Sequence, residues 1–277
     1  EQGGAVTYVH PGYGANLDQA SARELPVDLA LGQVDAIDVL SNNPEPVGME
    51  IWYRLLNCGF RLAISAGSDA FTNVADHYTP GAHRVYVQSG GPMRYDEWIK
   101  NYKRGRSFAT NGPVIYLTVD GKQPGDEIAF PAGAPRRVRV KADVRAYVPV
   151  DKVEVVVNGK VVIAKPAAGE SEIVVDEELP LRKSCWIAAR ATGPRHRLVL
   201  NDSEVFAHTS PVYVRFGSEP IASAEDLRFY TDWIERLIAR VNDRGRFATP
   251  ARKQEVVSLF QRALEVYRER ERNIPAP

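Results

Sequence analysis

Apolar and polar positions follow two different periods in the first part of the chain. Continuous apolar or β-branched runs predict buried strands, and they fall at residues 5–9, 34–40, 60–66 and 84–88. Segments with apolar residues three and four positions apart predict helices, and they cover residues 49–58 and 95–104, each followed by glycine. Because strands and helices alternate, this region is expected to form parallel α/β units.

The pattern changes near Gly112 and Pro113. From there to about residue 217, alternating apolar runs separated by turn residues predict roughly six or seven short strands. Asn158 and Gly159 lie between two apolar runs, and this residue pair favours a tight hairpin turn. The region is therefore expected to form a β-sandwich of immunoglobulin-like type, although it lacks the Cys–Trp–Cys pattern of a true immunoglobulin domain.

The last part of the chain is helical. Two apolar stripes at helical spacing run from residue 227 to 241 and from residue 256 to 267, and Thr249 and Pro250 begin the second helix. Since neither stripe can remain in water, a helical hairpin packed on the body is expected. The fold class is thus α/β plus all-β, with boundaries at residues 1–112, 113–218 and 219–277.

Composition and charge exclude some partners. The 35 basic and 35 acidic residues balance, which argues against nucleic acid as a partner, and no apolar stretch is long enough to span a membrane. Cys58 and Cys185 are too few for a disulfide framework and are expected to be buried free thiols. The first residue is Glu1 and no leader is visible, so a removed leader and a shortened chain both remain open, and with them a periplasmic or secreted location.

Two ionisable residues end predicted strands. His10 follows the first strand and Asp69 follows the third, and the carboxyl ends of parallel strands are where such sheets place their chemistry. Imidazole and carboxylate are ligands suited to zinc, manganese or iron. Asp38 is a further candidate on the second strand. His77 and His83 are weaker candidates, because a surface loop accounts for both.

Other mechanisms leave no trace in the sequence. There is no phosphate-binding loop, no dinucleotide fingerprint and no nucleophile elbow. His208 precedes a predicted strand, and a structural hydrogen bond is its expected role. A metal-dependent hydrolase is the enzyme class that remains.

Several phrases together resemble the PHP (polymerase and histidinol phosphatase) superfamily, in particular its bacterial carbaryl-hydrolase-like branch. The matching phrases in the α/β region are Gly3-Gly-Ala-Val-Thr-Tyr-Val-His-Pro11, Val34-Asp-Ala-Ile-Asp-Val39, Ala66-Gly-Ser-Asp-Ala-Phe71 and Gly105-Arg-Ser-Phe-Ala-Thr-Asn-Gly-Pro113. Those in the β region are Leu117-Thr-Val-Asp-Gly121, Pro124-Gly-Asp126 and His208-Thr-Ser-Pro-Val-Tyr213. The likeness covers most of residues 3–217.

The resemblance implies part of a distorted (βα) barrel that holds divalent metals at the strand ends. His10 is similar to the family's late lone histidine ligand, and Asp69 is similar to the aspartate of its final Asp-x-His motif. Position 71 is phenylalanine where that motif has histidine, and the family's early His-x-His pair is absent. Asp38 lies near a strand position where relatives carry an acidic residue.

The chain is therefore expected to be the C-terminal portion of a hydrolase acting on a phosphate or carboxylic ester. The metal site in this chain would be incomplete and the chain alone would have little activity. The zinc, manganese or iron ion is therefore expected in the complete protein. The substrate would be a small molecule or carbohydrate, and a second copy of the chain is one way to cover the open barrel edge. The alternative is a non-catalytic carbohydrate- or surface-binding protein on a degenerate scaffold. A purely structural role is a third possibility.

Overall fold

The computed structural model describes residues 3–11, 24–41, 46–71, 73 and 78–275. Its helices are α1 Leu25–Ala30, α2 Pro46–Asn57, α3 Tyr95–Arg104, α4 Ala224–Arg244 and α5 Pro250–Arg272. Its strands are β1 Thr7–Tyr8, β2 Ala36–Leu40, β3 Ala63–Ala66, β4 Arg84–Val87, β5 Ser107–Thr110, β6 Val114–Val119, β7 Glu127–Phe130, β8 Arg136–Arg145, β9 Lys152–Val157, β10 Lys160–Pro166, β11 Glu172–Leu181, β12 Cys185–Arg195, β13 Glu204–Thr209 and β14 Val212–Phe216.

A small parallel sheet forms the first layer. Its order is β1-β2-β3, and β2 is buried along its whole length. Ile51, Trp52 and Leu55 of α2 are fully buried in the core beside it. Within the described residues this sheet does not close into a barrel, so the PHP-type barrel stays a prediction.

The predicted β-sandwich is present. A larger sheet follows the path β10-β9-β12-β13-β5-β4, with β14 paired to β12 and β7, and a smaller sheet has the order β11-β8-β6. Apolar residues that alternate along the strands of both sheets form one shared core, which includes Ile115, Val140, Val155, Ile173, Ile187 and Val205. Asn158 and Gly159 have φ angles of 48° and 82°, as the predicted tight hairpin requires.

The larger sheet extends across the predicted boundary at residue 112. Both β4 and β5 lie before that boundary, yet β5 pairs with β13 and β4 pairs with β5. A division at residue 112 therefore separates two strands from the sheet that they complete. The sequence could not indicate this pairing, because a short apolar strand has the same pattern in either sheet.

Two serine side chains connect the parallel sheet to the sandwich. The N–H of Ile64 in β3 donates to Ser210 Oγ at 3.0 Å, and Ser107 Oγ donates to the carbonyl of Ile64 at 3.2 Å. The two hydroxyls are 3.0 Å apart. They satisfy backbone groups that an edge strand otherwise leaves unpaired.

The predicted helical hairpin is formed by α4 and α5, which pack on α1 and α2. Tyr230 of α4 donates a hydrogen bond to the carbonyl of Ile51 at 2.7 Å, and Tyr267 of α5 donates to the carbonyl of Pro26 at 3.0 Å. Both phenols are fully buried, so these bonds offset the cost of removing them from water. No helix in the described part of the chain has the length and apolarity needed to cross a membrane.

Asn57, at the end of α2, connects three parts of the molecule. Its Oδ1 accepts from the indole of Trp186 in β12 at 2.8 Å, and its Nδ2 donates to Asp226 of α4 at 3.0 Å. Arg54 donates to the same carboxylate at 2.6 Å. The sandwich, α2 and the hairpin therefore meet at one side-chain amide.

We predict that Asn57→Ala lowers the free energy of unfolding by about 1–3 kcal/mol, because it leaves the buried indole N–H of Trp186 without an acceptor. Urea denaturation measures this change. Asn242→Ala is the matched control, since Asn242 is exposed on α4, and it should stay within about 0.5 kcal/mol of the parent. Equal stabilities of the two variants would contradict the role given to Asn57.

Candidate functional site

The carboxyl ends of three parallel strands meet at one edge of the small sheet. His10 follows β1, Ser41 follows β2 and Asp69 follows β3. Since β1, β2 and β3 run in the same direction, their ends place these side chains on a common rim. We call this set the strand-end rim.

The two residues selected from the sequence lie together on the rim. His10 Nε2 is 3.6 Å from Asp69 Oδ1, and each side chain is about one-third exposed, at 34% and 33%. Two donor atoms that each lie about 2.0–2.2 Å from one ion are roughly 3–4 Å apart. The observed separation therefore suits two ligands of a single cation and also suits a direct ion pair.

His10 and Asp69 share an uncommon backbone conformation. Each has φ of 51°, in the left-handed region. Such a residue costs on the order of 1 kcal/mol and persists only where the surroundings hold it. The other non-glycine residues with positive φ in the described part of the chain are Asp120, Asn158, Asn201 and Asp202. In the rim pair this conformation accompanies a side-chain contact between the ends of two parallel strands.

Ser41 orients two imidazole rings. Its hydroxyl is 3.0 Å from Nδ1 of His10, and its backbone carbonyl accepts a hydrogen bond from Nδ1 of His83. Because a carbonyl only accepts, the proton of His83 lies on Nδ1 and the lone pair lies on Nε2. Metal-binding histidines are commonly oriented in this way, with one ring nitrogen bonded to a carbonyl and the other left for the ion.

His83 is neutral at physiological pH. It is 1% exposed, and burial, with a smaller contribution from the charge of Arg84, lowers its pKa from 6.5 to about 4. Its Nε2 is buried and has no hydrogen-bond partner among the residues that the structure describes. A buried nitrogen without a partner is costly, and such atoms often mark the place of a ligand or water.

The expectation that His83 belongs to a surface loop is wrong. Ser68 fixes its backbone, because Ser68 Oγ accepts from the N–H of His83 at 3.1 Å and lies 3.2 Å from its carbonyl. Ser68 itself is buried and directly precedes Asp69. The residue is therefore drawn in against the rim by partners that the local sequence pattern does not reveal.

The other candidates have mixed outcomes. Asp38, in the middle of β2, is 5% exposed, and its Oδ1 accepts from the N–H of Leu40 at 3.3 Å. Asp35, which directly precedes β2, pairs with Lys103 at 3.4 Å. His77 lies outside the described residues. Phe71 is 56% exposed. In the regions that the structure covers, no three His, Cys, Asp or Glu side chains are grouped so that they could hold a metal ion.

The prediction of a structural hydrogen bond for His208 is confirmed. Its Nδ1 donates to the carbonyl of Thr209 at 2.7 Å, and its Nε2 accepts from the hydroxyl of Tyr53 at 2.6 Å. Complete burial lowers its pKa to about 3. The contact joins α2 to β13 across 155 residues, a separation at which no local motif could have indicated it. Cys58 and Cys185 are buried free thiols, as expected.

Comparisons with known proteins identify no family. No protein-family model matches the chain, and no curated protein matches it. Among solved structures, one described as "Structures of Clostridium thermocellum CbhA fibronectin(III)-like modules" is similar at 21% sequence identity and a TM-score of 0.22. The similarity covers 36% of this chain and 94% of that one. We draw no argument from a likeness at this level.

We predict that His83 contributes a pH dependence to stability. Its pKa is lower in the folded state than in the unfolded state, so its contribution is complete above pH 6.5 and is lost as the pH falls toward 4. Between pH 7 and pH 5 the loss should be about 2 kcal/mol. Buried His208, whose pKa is also lowered, contributes a loss of its own in both proteins. Urea denaturation at the two pH values should therefore show a loss that is about 2 kcal/mol smaller in His83→Gln than in the parent.

His196→Gln is the control for this prediction, since His196 lies in a turn, is partly exposed, and accepts a hydrogen bond at Nδ1 from the N–H of Leu198. This variant should keep the pH dependence of the parent. If His83→Gln lost as much stability as the parent between the two pH values, the buried neutral state of His83 would be refuted.

Proposed function

We propose that this chain is part of a metal-dependent hydrolase of the PHP type that acts on a phosphate or carboxylic ester. The main support is the approach of His10 Nε2 to Asp69 Oδ1, at 3.6 Å, on the carboxyl edge of a parallel sheet. These are the two residues that resemble ligands of that superfamily. The proposal requires these two side chains to lie together, and residues so far apart in the sequence come together only through the fold.

The donor set fits a divalent cation. His10 and Asp69 would hold it. His83 would lie beside them without being a ligand, because no three His, Cys, Asp or Glu side chains of the described residues are grouped to hold an ion. Imidazole nitrogen with carboxylate oxygen suits zinc, manganese or iron. A cation bound there would polarise an ester oxygen and increase the acidity of water. The remaining donors would have to come from outside the described residues.

The residues of this chain would prepare the site before the cation arrives. Ser41 fixes the tautomer of His83 and restrains the ring of His10. Ser68 holds the backbone of His83 beside Asp69. A ligand set whose orientation is already restrained loses less conformational freedom on binding.

A simple ion pair is the competing explanation. A pair of this exposure contributes about 0–1 kcal/mol, which does not offset two left-handed backbone conformations at about 1 kcal/mol each. This difference favours the cation site.

We predict that Mn²⁺ broadens the imidazole NMR signals of His10 and His83 before those of His196 and His208. The expected cause is binding at the rim, because paramagnetic broadening falls steeply with distance. His10→Ala and Asp69→Asn should each weaken Mn²⁺ binding by about tenfold or more, as measured by the same titration. Asp35→Asn is the matched carboxylate control and should bind as the parent does, because Asp35 pairs with Lys103 instead. Unchanged binding in both rim variants would exclude a metal site there.

We predict that the full-length gene product, supplied with Zn²⁺ or Mn²⁺, hydrolyses p-nitrophenyl phosphate or p-nitrophenyl acetate. Asp69→Asn should lower kcat/KM by about 100-fold, because it removes an anionic ligand from the cation. Asp35→Asn should retain the parent rate. A metal-loaded full-length protein without turnover on either ester would refute the hydrolase proposal, even if the rim binds metal.

A further inference from the structure

A cavity lies at the open side of the sandwich, and none of the rim residues lines it. Its volume is about 240 Å³. One wall comes from β4 and β5 of the larger sheet and the other from β6 of the smaller sheet. Since β4 and β6 are terminal strands of their sheets, the cavity opens where the two layers are not joined by a further strand.

Aromatic side chains line this cavity, which we call the aromatic slot. Tyr86 and Phe108 are stacked, with ring centroids 5.0 Å apart and planes at 18°, and Tyr116 meets Phe108 edge to face at 6.0 Å. Phe108 is 9% exposed, whereas Tyr86 is 43% and Tyr116 is 58% exposed. Tyr116 is therefore the more exposed ring at the opening, while the Tyr86 ring also has the Arg84 guanidinium 5.5 Å from its centroid.

A guanidinium with a spare donor completes the slot. Arg106 lines the cavity, and its Nε is buried without a hydrogen-bond partner among the described residues. Its terminal nitrogen donates to Asp126 at 3.1 Å, and Arg104 donates to the same carboxylate at 2.6 Å. Two guanidinium groups on one carboxylate leave one net positive charge. The unpaired Nε–H and this charge both favour an anionic acceptor.

We propose that the aromatic slot binds a monocyclic aromatic carboxylate. The ring would lie among Tyr86, Phe108 and Tyr116, and the carboxylate would accept from the guanidinium of Arg106, whose side chain is 26% exposed. Stacked and edge-to-face contacts of this kind add to the gain from apolar burial. A sugar fits less well, because its hydroxyls could bond to Gln88 and Gln123 but those that face Phe108 and the 3% exposed Leu117 would lose their hydrogen bonds to water. The proposal is independent of the metal site.

Titration of the chain with benzoate, followed by calorimetry and by NMR of the tyrosine rings, tests this assignment. We expect a Kd on the order of 0.1–1 mM, as the efficiency of small ligands allows. Tyr116→Ala and Arg106→Lys should each raise the Kd by about tenfold. Arg106→Lys keeps the positive charge beside Asp126, and Tyr116→Ala changes an exposed side chain, so the fold is retained. Tyr147→Ala is the control, because Tyr147 is 66% exposed on the same sandwich but does not line the slot.

The ligand series separates the possible outcomes. Weaker binding of cyclohexanecarboxylate than of benzoate supports a site for a planar ring, and equal binding overturns it. Tighter binding of methyl glucoside would assign the slot to carbohydrate and overturn the proposal. Absence of benzoate binding at about tens of millimolar, or equal affinities of Tyr116→Ala and Tyr147→Ala, would also overturn it.

Discussion

The arrangement of the molecule depends on how the edge of β3 is satisfied. Buried backbone N–H and C=O groups require partners, and at Ile64 those partners are the hydroxyls of Ser210 and Ser107 rather than another strand. A side-chain bridge allows the parallel sheet to end against a sheet of different direction. The strand that leads to Asp69 is thereby held by the sandwich, while α2 and the helical hairpin cover the other side of the core. The position of the rim is thus a property of the joint between two sheets.

Local signals predicted the elements that depend on local physics. The helix at Tyr95–Arg104 ends at Gly105 with φ of 81°, and the turn at Asn158 follows from residue type alone. Strand lengths were less well predicted: the first run covers residues 5–9, but only Thr7–Tyr8 forms ladder pairs. The helix at Leu25–Ala30 was not predicted, because its six residues are too short to display a full apolar stripe. Membership of β4 and β5 in the sandwich is a matter of long-range pairing, which periodicity does not encode.

The same division applies to the candidate site. His10 and Asp69 could be selected because a polar residue at the end of an apolar run has a geometric meaning in a parallel sheet. Ser41 could not be selected in this way, since its role comes from a hydroxyl and a carbonyl that contact residues 31 and 42 positions away. His83 was misjudged for a related reason. A histidine in a loop of polar residues has the pattern of a surface residue, and only contacts with Ser41 and Ser68 make it a buried one.

The double use of Ser41 couples two rings that are far apart in sequence. Its side chain restrains one imidazole and its main chain restrains the other. A small rotation of the backbone at Ser41 would misalign the rings of His10 and His83 together, so the orientations of the two rings are coupled. A substitution that shifts the backbone at the end of β2 would therefore change the orientation of both rings without altering either histidine.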